Sequence, residues 1–152
     1  MKEHIDPTSL FKQTNFSSTI WWKVKINISG YQNETENNLV TEIAKNRLFR
    51  LIHPSLFKSK NKLSRILVQF YEDGYICWID LDKLNIEKFD LKKQLQIEYD
   101  EQLIASKIPL IIKWIEDQSK QKNKYLWGGT LGPNFDCSGL IQTAFLIQNI
   151  YI

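Results

Sequence analysis

Histidine is scarce in this chain, with His4 and His53 the only two among 152 residues. Cysteine is as rare, and Cys77 and Cys137 lie far apart in sequence. A disulfide framework is therefore not expected. No stretch approaches the roughly 18 consecutive apolar residues of a membrane-spanning helix. The opening residues Met1 to Pro7 lack the apolar core of an export signal, so no membrane span and a cytoplasmic location are expected. Neither sign of charge dominates: 20 Lys and Arg stand against 17 Asp and Glu, a formal net charge of +3. The basic residues are spread along the chain, which argues against a nucleic-acid-binding stripe. Their densest group, Lys58, Lys60, Lys62 and Arg65, falls between apolar runs and reads as a solvated hairpin loop. There is no internal repeat, and nothing in the sequence implies a metal or an organic cofactor.

What is present suffices for a core, since 43% of the residues are hydrophobic and five are Trp. The length suits one ordinary domain or two small ones. Residues 1–18 are polar, contain Pro7, Ser17 and Ser18, and read as a flexible arm. From Trp22 to Ile28 apolar and polar residues alternate with period two, as in a strand with one buried face. Leu48 to Ile52 is a second candidate strand. Arg65 to Phe70 and Tyr75 to Ile79 flank Asp73-Gly74, a strong hairpin signal between β-rich runs. Several short strands in so few residues predict a small β-barrel over 19–90, with a charged linker at 91–100. Leu103, Ile104, Ile108, Ile111, Ile112 and Ile115 then recur at helical spacing. Pro109 lacks a backbone donor, which places the start of the regular helix within the turn before it. The overall class is α+β.

The chemistry is concentrated between Tyr125 and Leu140. Asp136 is a good N-cap, and Leu140, Ile141, Ala144 and Phe145 follow at helical spacing, so Cys137 should stand at a helix tip. A helix N-terminus carries free N–H groups and partial positive charge, which favour a thiolate nucleophile. Gly128, Gly129, Gly132 and Gly139 lack side chains, which leaves room for a peptide to approach the backbone beside the sulfur. The alternative is that Cys137 is a small buried hydrophobe.

The combination of Tyr125, Trp127, Gly128 and Gly129 with Asp136, Cys137, Ser138, Gly139 and Leu140 closely resembles the nucleophile motif of the NlpC-type cysteine peptidases. These are papain-like enzymes that cut murein stem peptides. Val68 to Leu84 resembles, less specifically, the bacterial SH3-like barrel that precedes the peptidase in one branch of that family. The resemblance implies a nucleophile, Cys137, and an oxyanion-stabilising hydroxyl, Tyr125. It also implies substrate contacts from Asp136, Ser138 and the barrel residue Tyr75, with Trp127, Gly128 and Gly129 alongside. Tyr75 and Tyr125 have packing roles as their alternatives, and Asp136 can be both cap and ligand.

Amide hydrolysis by a thiol also needs an imidazole to hold the ion pair and protonate the leaving amine. In the family that histidine follows the cysteine by a long interval, and neither His4 nor His53 matches it. The resemblance therefore covers the barrel and only the first, nucleophile-bearing part of the peptidase domain, 101–152. The expectation is a hydrolase of γ-D-glutamyl-diamino acid bonds, present here as a truncated and inactive form. The alternative is a non-catalytic module that binds wall peptides, or one completed by a partner chain. The oligomeric state is open.

Overall fold

The computed structural model describes residues 7–14, 17–52, 64–91 and 100–152. His4, His53, Lys58, Lys60, Lys62 and most of the linker expected at 91–100 lie outside the described residues. The chain is α+β, with a seven-stranded antiparallel sheet followed by helices. It divides into two compact units, Met1–Asp90 and Leu91–Ile152.

The first unit comprises α1 (Pro7–Gln13), β1 (Trp21–Val24), β2 (Ile28–Tyr31), β3 (Leu39–Ile43), β4 (Leu48–Leu51), β5 (Arg65–Phe70), β6 (Ile76–Asp80) and β7 (Ile86–Phe89). The strands hydrogen-bond in the order β3-β2-β6-β5-β4-β1-β7. The hairpin expected around Asp73-Gly74 forms, with Val68 opposite Cys77 and Ile66 opposite Ile79. Gly74 takes φ +67°, and Asp73 Oδ1 accepts from Tyr75 N at 2.9 Å, so both turn residues act as their chemistry suggests.

Laid flat, seven strands span roughly 29 Å, whereas a seven-residue helix is only about 10 Å long. Yet one buried cluster takes in Ile43 of β3, Ile86 of β7 and residues of the strands between them. Since α1 cannot cover that width, the sheet must curl so that its own inner faces meet. Pairing does not close the ring among the described residues, because no ladder joins β3 to β7.

Within the stretch expected to be an arm, the described residues include a short helix. Pro7–Gln13 are helical, and Phe11 is fully buried with its ring edge-on to Trp22 at 5.0 Å between centroids. β7 is the last strand within the stretch 19–90. Its four residues pair with β1, Ile86 opposite Val24 and Phe89 opposite Trp21, and Ile86 is buried.

In the second unit α2 (Glu101–Ser119) packs on α3 (Cys137–Ile147) around Ile111, Ala144 and Ile150, joined by Ile104, Ile108, Trp114, Ile115 and Phe145. Helix α2 starts at Glu101, about two turns before Pro109, and not within the turn before it. Asp100 caps it, accepting from Gln102 N at 3.1 Å, and the helix continues through Pro109. The bond lost at Pro109 is the one to the carbonyl of Ala105. Both residues are exposed, so water can satisfy that carbonyl. No helix among the described residues is long and apolar enough to cross a membrane.

Candidate active site

Two short runs lie side by side ahead of α3. Tyr125 and Phe135 form a parallel bridge, Leu126 N donates to Phe135 O at 3.1 Å, and Asp136 N donates to Gly129 O at 3.1 Å. Phe135 is buried and meets Trp114 of α2 edge-on, at 5.9 Å between ring centroids. That contact ties the loop to the helical core. Asn134 adds a further tie, its Oδ1 accepting from Lys124 N at 2.8 Å.

Asp136 joins this loop to the helix. Its Oδ1 accepts from Gly139 N at 2.7 Å and from the Ser138 hydroxyl at 2.8 Å, and its Oδ2 accepts from Gly128 N at 2.8 Å. Burial pushes its carboxyl up, but the Gly139 N–H, the Ser138 hydroxyl and the N–H groups of Gly128 and Ser138 outweigh that and hold it below the usual carboxylate range. The expected cap is therefore also a clamp, with each carboxylate oxygen taken up by the chain's own donors.

The first residue of α3 is Cys137, exposed and free. It lines a groove of about 380 Å³ together with Ile115, Lys124, Tyr125, Phe135 and Leu140. Gln118, Gln121 and Asn123 supply amides to the same groove. Tyr125 and Cys137 thus share one concavity, while Trp127 is 66% exposed on the same loop. Ser138 is exposed beside Cys137, its hydroxyl turned to Asp136. Tyr75 belongs to the first unit, where it is 43% exposed at the entry to β6.

The glycines serve internal packing. Gly128 and Gly129 are buried. A Cβ on Gly139 would stand 2.0 Å from Gly129 O and 3.0 Å from Thr130 Cγ2, so α3 meets the loop where a side chain is missing. Thr143, one turn further along α3, donates to Thr130 O. Gly139→Ala must push the loop off the helix, at a cost of about 1–3 kcal/mol. Urea unfolding followed by Trp fluorescence should show that loss; an unchanged midpoint would mean the loop yields freely.

Sequence reasoning missed Asn134, Lys124 and the amides of the α2 end as parts of this site. Only the polar run Gln118 to Asn123, which ends α2, hinted at them. Among the described residues no group of three His, Cys, Asp or Glu side chains could hold a metal ion.

Residues 122–152 match the model of the NlpC/P60 family. No curated protein matches the chain. Among solved structures, NlpC2 from Trichomonas vaginalis is similar over 88% of this chain and 43% of its own, with 19% identity and a TM-score of 0.33. NlpC1 from the same organism is similar over 88% of this chain and 41% of its own, with 21% identity and a TM-score of 0.29. The chain thus spans less than half the length of either. The family match contains the bridge, the clamp and the exposed cysteine, so the segment 122–152, Cys137 included, is similar to the NlpC/P60 family.

Proposed function

We propose that this chain carries the nucleophile part of a cysteine peptidase that cleaves γ-D-glutamyl-diamino acid bonds in murein stem peptides. The observation that carries this reading is the exposed Cys137 thiol at the first turn of α3, facing a groove shared with Tyr125. The thiolate attacks the scissile carbonyl, and the developing oxyanion is met by Cys137 N–H and the Tyr125 hydroxyl, donors worth about 2.7–4 kcal/mol each. Trp127, on the same loop as Tyr125, offers an exposed aromatic face.

The imidazole comes from outside residues 101–152, which contain no histidine. The second unit also exposes Leu110, Ile112 and Ile147 by about half, apolar surface of the kind that a further segment or a partner chain covers. The curled sheet of the first unit is consistent with an SH3-like barrel, in which Tyr75 would contribute to peptide selection. Peptide recycling in the cytoplasm would suit such an enzyme.

Residues 1–152 alone are expected to hydrolyse L-Ala-γ-D-Glu-diaminopimelate no faster than background, while that peptide at millimolar concentration slows alkylation of Cys137. Absence of protection would overturn the assignment of the groove. Turnover that disappears in Cys137→Ala but survives in both His4→Ala and His53→Ala would overturn the missing-base argument.

A further inference from the structure

Among the described residues, two charged ones line the groove beside Cys137, Lys124 and Asp136. They differ in how much of their charge is left for a ligand. Asp136 has both oxygens engaged by Gly128 N, Gly139 N and the Ser138 hydroxyl, and it lies at the positive end of α3. Its charge is largely answered from within. The ammonium of Lys124 makes no ion pair among the described residues, and only the backbone N–H of this residue is used, by Asn134 Oδ1. The other charges at the end of α2 do not reverse this balance, because Asp117 is paired with Lys120 at 3.0 Å and the exposed cation Lys122 offsets the exposed carboxylate of Glu116. The rest of the polar lining, including Gln118, Gln121 and Asn123, is neutral and suited to peptide groups.

We propose that Lys124 is a specificity-determining residue of this groove, pairing with a carboxylate of an acidic peptide held next to Cys137. The inference rests on the groove being the peptide site and names the charge class that it accepts. It also moves charge recognition from Asp136, which the family resemblance offers as an amine ligand, to a residue in the opposite sense. Asp136 then acts as a positioning residue, holding Gly128 and α3 in register around the thiol.

The test needs no turnover, so it can fail independently of the hydrolase assignment. Cys137 is alkylated with iodoacetate and with iodoacetamide, and the ratio of the two rates is compared between variants. Cys77 does not interfere, since burial makes it inaccessible and pushes its thiol up to about 12. In Lys124→Met the iodoacetate-to-iodoacetamide ratio should fall by about two- to fivefold, the effect of one unit charge at roughly 4–8 Å in water. Lys124→Glu should lower it further, Lys124→Arg should restore it, and high salt should shrink the differences. The neutral reagent reports whether the site stays folded in each variant. A ratio unchanged in Lys124→Met, or lowered equally by Lys122→Met, would overturn the proposal.

Discussion

Arg65→Met should destabilise the first unit by about 3–5 kcal/mol, the usual result of removing one partner from a buried ion pair. Arg65 on β5 is 6% exposed, and its guanidinium is spent on several acceptors at once. Nε donates to Asp80 Oδ1 at 2.7 Å, Nη1 to Glu36 O at 2.6 Å and Asn33 O at 3.2 Å, and Nη2 to Asn37 Oδ1. The same group stacks on the Tyr31 ring, 3.7 Å from its centroid. One side chain thus pins the connection between β2 and β3 to the middle of the sheet. Lysine cannot replace it, because a single ammonium cannot reach acceptors spread around a planar fork.

Acid should reveal the same contact. Burial pushes the Asp80 carboxyl up, but hydrogen bonds from Arg65 and Lys83 and their charges outweigh it and hold the group below its ordinary value of 3.8. A depressed folded-state value means stabilisation that is complete above about pH 4 and is lost as pH falls through that lower value. Urea midpoints measured from pH 6 down to pH 2 should therefore drop in the parent. In Arg65→Met they should start lower and depend less on pH. A variant within 1 kcal/mol of the parent at pH 6 would show that the β2–β3 connection does not need its pin.

Phe11→Ala should cost a further large amount, about 3–5 kcal/mol, as for other buried aromatic truncations. The ring is fully buried, joins the main cluster and meets Trp22 edge-on. A seven-residue helix has almost no stability of its own. Removing the ring should therefore release α1 as well as open a cavity, and hydrogen exchange at Leu10 to Gln13 should rise towards that of an unfolded chain. Protection that persists in the variant would mean that Leu10 alone holds the helix.

The parts of this protein that were legible in the sequence are those whose cause is local. The hairpin from Arg65 to Asp80 announces itself because alternation and an Asp-Gly turn are set by neighbours a few residues apart. Asp136 as a cap and Cys137 at a helix tip follow from residue type and spacing in the same way. Other features depended on contacts distant in sequence. Helix α1 exists because Phe11 finds Trp22, and β7 because β1 supplies its hydrogen bonds. Helix α2 passes through Pro109 because that position is exposed, which no spacing rule states. At the site, the motif by itself singles out Cys137 as the candidate nucleophile. Only the tertiary structure decided that Gly139 must be bare to meet Gly129, that Asp136 is saturated by Gly128 as well as by α3, and that Lys124 is left as the unpaired charge in the groove. Local sequence sets the backbone conformation of a short run, whereas charge balance and close approach depend on which surfaces the rest of the chain brings together.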